Sequence, residues 1–317
     1  GKNFVFFNNF FFNNINKNII PNELDNWLIL FHQLLKSINF ASQFPTMKFL
    51  VSTDFSKCAN NAVKYAVEFA LKMNAEICLL NTYQLKYTDV GLFIDFDDSG
   101  KKASLQNLKN KEASLKAEYS ALSDNQISVK QGFGKLDDVI EDIKDDYDLV
   151  IMGTKGVNGL EEILIGSGTA RVIGKTSIPT LVIPEESTFN SNSKLFFALD
   201  LKESLKRIEV ELINNMCVEN KNIHLFHNYR DALEISVKEE QQLVDDFKNY
   251  FAGDVISIDL KFDSDAVDSI EKGVQTFDPH VIVVKARHRN LLQSLFHKSV
   301  SASLSFHTKQ PLLVLKG

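Results

Sequence analysis

The chain has 317 residues, with 35 Lys and Arg against 41 Asp and Glu and a formal net charge of −6, a length that suggests two globular domains at roughly 150 residues each. With 44% hydrophobic and 24% charged residues it is not a disordered chain, and no apolar run reaches the ~18 to 20 residues of a bilayer span. The negative balance argues against nucleic acid as a partner, since that binding rests largely on Lys and Arg neutralising phosphates. The three cysteines, Cys58, Cys78 and Cys217, are odd in number and form no C-x-x-C pair. They indicate neither a disulfide framework nor a thiolate zinc site, and fit a cytoplasmic chain.

Residues 1–46 hold nine Phe and ten Asn and differ in composition from the rest of the chain. Asn8 and Asn9 interrupt the apolar run and no small-residue cleavage site comes after it, so a signal peptide is not expected. The segment reads as an atypical extension, and Met47, just ahead of an ordinary strand, as the natural start. Within it Leu24, Trp27, Leu28, Phe31, Leu34, Leu35 and Ile38 recur at helical spacing behind Asn22, which predicts one capped amphipathic helix. Its stripe is expected to pack on the chain's own domain, with a partner subunit as the alternative.

Strands then alternate with helices. Lys48–Ser52 reads as a short strand, Ser56 as the cap of a helix reaching about Met73, and 76–82 as a second strand. An acidic loop with Asp89, Asp95, Asp97 and Asp98 precedes a helix near 101–122. Next come a strand at 126–130, a helix at 136–144, a strand at 149–152, a helix at Ser167–Lys175 and a strand at Thr180–Ile183, and 184–193 is polar enough to be a linker. Five strands with interleaved helices predict an α/β fold with a parallel, doubly wound sheet.

The pattern restarts after the linker. Residues 195–199 and then Asp200 mirror 49–53 and then Asp54, and 223–227 mirror 77–81, each 146 residues on. Residues 281–284 mirror 149–152 and 310–315 mirror 178–183, each 132 residues on, so the second copy is 14 residues shorter. The expected organisation is a domain at 47–184, a linker at 185–193 and a domain at 194–317. An unpaired terminal strand is an association hazard. The two copies are therefore expected to pair intramolecularly, 180–183 against 312–315, with Val182 and Val314 close to the pseudo-axis. Ten linker residues can span on the order of 30 Å when extended.

The chemistry concentrates in the first copy. Its fourth strand ends in Met152-Gly153-Thr154-Lys155-Gly156, and nine residues later Gly166-Ser167-Gly168-Thr169 opens a helix. Glycines permit close backbone approach, and a helix N-terminus offers unpaired N–H groups and a positive dipole end to an anion. Ser167 and Thr169 add hydroxyl donors and Lys155 a point charge. Thr53 and Asp54 lie at the carboxyl end of strand one, where open α/β sheets bind ligands and a carboxylate can accept from ribose hydroxyls. Phosphate at one end and ribose at the other describe a nucleotide.

At these residues the sequence resembles the universal stress protein family in its two-domain, tandem form, over essentially 47–317. The family's G-x-x-G, nine residues, G-S signature is matched by Gly153, Gly156, Gly166 and Ser167, and its strand-one D-F-S by Asp54, Phe55 and Ser56. The resemblance implies two tandem flavodoxin-like (Rossmann-like) domains, each a five-stranded parallel sheet flanked by helices. It also implies ATP or a related adenine nucleotide at this loop, an adenine contact from Thr82, and dimerisation through the last strand. The match departs at Lys155, where His is the commoner residue.

The second copy departs further, placing Lys285, His288 and Lys298 where Gly153, Gly156 and Gly166 stand and keeping only Ser299 for Ser167. The same binding mode is expected to be blocked there. The cluster Lys285, Arg287, His288, Arg289, His297 and Lys298 reads as a solvated face, with a side-chain anion site as the alternative. His224, His227, His280 and His307 show no metal-ligand spacing. There is no G-x-S-x-G elbow and no G-x-x-x-x-G-K-[ST] loop.

The favoured function is a stress-response regulatory protein that binds an adenine nucleotide in the first domain and reports it to a protein partner. The alternatives are a slow ATP hydrolase, which would need Mg²⁺ and has no evident general base beyond Asp54, and a ligand-free assembly module. A homodimer is compatible with any of these.

Overall fold

A computed structural model describes residues 46–84, 99–154, 166–199, 204–216, 223–229, 255–262, 266–286 and 309–316, with isolated positions between 238 and 251. The expected helix within 1–46 and the acidic loop with Asp89, Asp95, Asp97 and Asp98 lie outside the described residues. The chain divides into two compact units, Gly1–Thr46 and Met47–Gly317.

The elements of the second unit run β1 (Lys48–Ser52), α1 (Lys57–Met73), β2 (Glu76–Tyr83), α2 (Ser99–Glu118), β3 (Ile127–Phe133), α3 (Leu136–Ile143), β4 (Leu149–Gly153), α4 (Ser167–Lys175) and β5 (Thr180–Ile183). After the linker come β6 (Leu195–Leu199), α5 (Arg207–Met216), β7 (Ile223–Tyr229), β8 (Val255–Phe262), α6 (Ala266–Phe277), β9 (Val281–Ala286) and β10 (Leu312–Lys316). Local chemistry sets several bounds. The Ser56 hydroxyl accepts the Ala59 amide to start α1, and Asn74 ends it in the left-handed region at φ 53°. Helix α2 stops at Glu118, short of the expected 122, and Leu122 turns inward in the loop beyond it. Strand β3 runs on to Phe133 because it stays paired with β2 as far as Tyr83.

One ten-stranded sheet results, in the order β3-β2-β1-β4-β5-β10-β9-β6-β7-β8. The second half repeats the first in reverse. Neighbouring strands are parallel throughout except at the centre, where β10 meets β5 antiparallel. The register there pairs Leu312 with Val182, Leu313 with Leu181 and Val314 with Thr180. The equivalent residues Leu181 and Leu313 therefore stand opposite one another, so the pseudo-axis passes between them, with Val182 and Val314 one residue away and close to it, as expected.

Helices cover both faces, as a parallel sheet requires. On one face Phe49 and Val51 pack under Val63, Ala66 and Ala70 of α1, in a cluster that continues through Leu313 and Leu315 to Phe197, Leu212 and Ile213. On the other, Leu50 and Val150 pack with Ile140, Val172 and Ile173, and that cluster continues through Leu312 and Val314 to Phe196 and Phe226. Both cores cross the seam between the halves, which is why the expected domains at 47–184 and 194–317 form a single compact unit. The linker is built in as well. Asn61 of α1 donates to the Pro184 and Ser187 carbonyls, 2.8 Å each, and the Phe189 ring lies 5.4 Å from those of Tyr65 and Phe69. Among the described residues no helix is long and apolar enough to cross a membrane.

Candidate functional site

In the strand order β3-β2-β1-β4-β5 the connections leave in opposite directions on either side of the β1–β4 pair. At such a switch point open α/β sheets bind ligands beyond the carboxyl ends of the strands. Thr53 and Asp54 come directly after β1, Gly153 and Thr154 close β4, and Thr82 lies near the end of neighbouring β2.

The turn after β1 is tightly held. Phe55 sits at φ 64°, an uncommon conformation for a bulky side chain, at a cost of order 1 to 3 kcal/mol. Three contacts impose it. The Thr53 hydroxyl accepts the Phe55 amide at 3.0 Å, Asp54 Oδ1 accepts the Ser56 amide at 3.1 Å, and Asn60 Nδ2 donates to the Phe55 carbonyl at 2.9 Å. The Thr53 carbonyl accepts from Asn81 Nδ2 at 2.7 Å, and Asn81 Oδ1 accepts from the buried Ser104 hydroxyl of α2 at 2.6 Å. Sequence patterning missed Asn81, because one polar residue at a strand end carries no period.

Strand β4 approaches α1 closely. A Cβ at Gly153 would lie 2.9 Å from Cys58 Sγ and 3.2 Å from the Ala59 amide nitrogen. Cys58 Sγ lies 3.4 Å from Thr154 Oγ1 and 3.6 Å from the Ile183 carbonyl oxygen, so this thiol is a packed core group. Met152, expected among the binding residues, has its side chain buried in the core. Lys155 and Gly156 lie outside the described residues.

The chain returns at Gly166, whose amide donates to the Thr154 carbonyl at 2.7 Å, and α4 begins at Ser167. Ser167 is exposed and Thr169 buried. Thr169 Oγ1 donates to the Gly153 carbonyl at 3.0 Å, so this hydroxyl, expected to donate to phosphate, instead ties α4 to the end of β4. The anion donors that remain are the amides of Ser167, Gly168 and Thr169, which have no intrahelical acceptor, and the Ser167 hydroxyl.

Helix α4 is braced from α3. Arg171 Nε reaches Asp137 Oδ1 at 3.1 Å, and Lys175 hydrogen-bonds Asp138. The hydrogen bond and charge of Lys175 hold the Asp138 carboxyl below its ordinary value, and the same bond with the charge of Asp138 raises the Lys175 ammonium above its own.

The second half shows what the same positions become. The strand registers make His227 the counterpart of Asn81 and Lys285 that of Gly153. His227 Nδ1 lies 2.9 Å from the Leu199 carbonyl oxygen, repeating the tie between Asn81 and Thr53. Lys285, expected on a solvated face, is buried. Its Nζ lies 2.6 Å from Glu209 Oε2, and both side chains are only 1% exposed. Asp200, Arg287, His288, Arg289, His297, Lys298 and Ser299 lie outside the described residues. A groove of about 650 Å³ beside α5, lined by Leu205, Arg207, Val210, Glu211, Asn214 and Asn215, holds none of the expected site residues.

Comparison with known proteins agrees with this geometry. Residues 45–184 match the model of the universal stress protein family. Universal stress protein MJ0577 of Methanocaldococcus jannaschii is 30% identical over 159 residues, covering 44% of this chain and 96% of that protein. Universal stress protein Slr1230 of Synechocystis sp. is 24% identical over 196 residues, covering 56% of this chain and 68% of its own. Among solved structures, a universal stress protein from Archaeoglobus fulgidus superposes with a TM-score of 0.60 over 86% of this chain and 99% of its own, at 17% identity, which is a likeness of fold. The chain belongs to the universal stress protein family.

Proposed function

We propose that the first half binds one adenine nucleotide, ATP or a close relative, and that the protein acts as a nucleotide-dependent regulator of the stress response in the cytoplasm. The observation that carries this reading is the meeting of three features at the β1–β4 switch point. These are the α4 N-terminal amides, the end of β4 at Gly153 drawn close against the start of α1, and Asp54 on a turn fixed by Thr53 and Asn60. Amides and dipole suit phosphate, Asp54 suits ribose hydroxyls, and Thr82 stands where a base would extend from β1 toward β2. Lys155 and Gly156 complete the phosphate side of the proposal.

Binding without rapid turnover is the favoured mode, because the candidate residues hold a single carboxylate, Asp54, whose Oδ1 is engaged with the Ser56 amide. Mg²⁺ enters with the nucleotide phosphates, and the candidate set offers it one carboxylate, Asp54. We read the chain as a domain at 47–184, a linker at 185–193 and a domain at 194–317, with an unidentified protein or a second copy as the partner. Calorimetric titration of the purified protein with ATP, beside mass spectrometry of any copurifying small molecule, tests the reading. Saturable binding near one per chain is expected, and no binding of any adenine nucleotide would refute it.

A further inference from the structure

Resting on the nucleotide reading for the first half, we propose that Asn81 and Ser104 are positioning residues for Asp54, and that through them helix α2 helps to hold the nucleotide. The turn that carries Asp54 takes its shape from within. The bonds made by the Phe55 and Ser56 amides and by Asn60 join residues of the turn to one another and to α1. Its attachment to β2 is separate. Backbone pairing of β1 with β2 ends at Ser52 and Leu80, and the Thr53 amide adds one bond more, to the Leu80 carbonyl at 2.8 Å. The Thr53 carbonyl, the last acceptor before Asp54, takes a side chain instead, Nδ2 of Asn81 at 2.7 Å.

Asparagine suits this post because both ends of its amide are used. Nδ2 donates to the Thr53 carbonyl while Oδ1 accepts the Ser104 hydroxyl at 2.6 Å, and turning the amide over would set oxygen against oxygen at that carbonyl. Ser104 lies in α2, a helix of 20 residues whose buried side chains are Ser104, Leu108 and Leu115. The polar one of these anchors is spent on Asn81. Leaving a buried hydroxyl without its acceptor is costly, so the bond holds helix and amide together. The second half repeats the tie with other chemistry. His227, the counterpart of Asn81, brings Nδ1 to 2.9 Å from the carbonyl oxygen of Leu199, the counterpart of Thr53, and Asp200 comes next in the chain. Asparagine and histidine share a side-chain N–H, so what both copies keep is the bond to the carbonyl that precedes an aspartate.

Full-length variants read by ATP titration test this. Asn81→Leu should weaken ATP binding about tenfold and Ser104→Ala about threefold, while Asn81→His, which brings the second half's residue to the first, should stay within about twofold of the wild type. In an Asp54→Ala protein, Asn81→Leu should cost less than about twofold more, because its effect passes through Asp54. Losses that simply add in that double variant, or wild-type affinity in both single variants, would overturn the inference. Amide hydrogen exchange gives a readout that needs no ligand. The Phe55 and Ser56 amides should exchange at least about tenfold faster in Asn81→Leu, and wild-type rates there would overturn the inference as well. Ser104→Ala, which deletes one oxygen, carries both measurements if Asn81→Leu does not fold. If the wild-type protein itself binds no adenine nucleotide, the nucleotide reading falls, and the exchange rates alone decide whether Asn81 holds the turn.

Discussion

Leu181 and Leu313, equivalent residues of the two halves, face each other at the centre of the antiparallel β5–β10 pair, and both are fully buried. They belong to the cluster that runs from α1 to α5. Either one changed to Ala should cost about 2 to 5 kcal/mol. The double variant should depart from additivity, because the two sites are in register. Urea denaturation monitored by far-UV circular dichroism should show one transition, while a biphasic curve with one half retained would mean that the seam contributes little to cooperativity.

Nucleotide should bind once per chain. Gly156→Val is expected to abolish ATP binding, since it adds a branched side chain where backbone must approach phosphate. Lys285→Ala should leave the stoichiometry at one, as the second crevice lacks the other motif glycines as well. Calorimetry distinguishes one site from two, and two equivalent sites would contradict the proposal.

Thr169 should act through Gly153. Thr169→Val removes the hydrogen bond to the Gly153 carbonyl while preserving shape, at about 1 kcal/mol of stability. Nucleotide affinity should fall with it, because α4 loses its tie to the end of β4, and Thr169→Ser should restore most of both. An affinity indifferent to Val would instead leave Thr169 with a packing role alone.

Acid should loosen the α3–α4 brace. The Asp138 carboxyl is held below its ordinary 3.8 by Lys175, so its contribution is present above that value and disappears as pH falls through the depressed one. Glu141, lowered from 4.5 by Lys144, has the same sign. The difference in Tm between the wild type and Asp138→Asn should therefore be steady near neutrality and shrink from about pH 4 downward. A difference that widened in acid would contradict this assignment.

A protein beginning at Met47 should bind nucleotide as the full chain does, since every described candidate residue lies in the second compact unit. Calorimetry on the two forms should agree within about twofold. Loss of binding on truncation would assign residues 1–46 a part in the site.

The residues that could be placed from the sequence were those carrying a period or a spacing. The alternation of strands and helices predicted every described strand and α-helix of the first half, though not the short 3-10 turns at Asp124–Gln126 and Lys144–Asp146, and the two repeats predicted which strands meet at the seam. They also placed Val182 and Val314 close to the pseudo-axis, while repeat spacing, which identifies equivalent residues, does not say that Leu181 and Leu313 are the pair in register. Phe189 escaped because a single aromatic in a polar stretch reads as linker, and its partners Tyr65 and Phe69 lie on a helix far upstream. The burial of Lys285 escaped for a similar reason. A lysine is placed on the surface by default, and only the fold supplies the carboxylate that brings it inside.

The grip of Asn61 on the linker has a mechanical consequence. Its side chain, on the second turn of the helix that flanks the candidate site, holds the Ser187 carbonyl, and the Ser187 hydroxyl in turn donates to the Lys309 carbonyl at 3.0 Å. Two short bonds thus connect α1 to the segment that enters the tenth strand, by a route that runs outside the sheet. A displacement of α1 would pull on both halves of the molecule at once, through a tether that would survive even if the central strands stayed still.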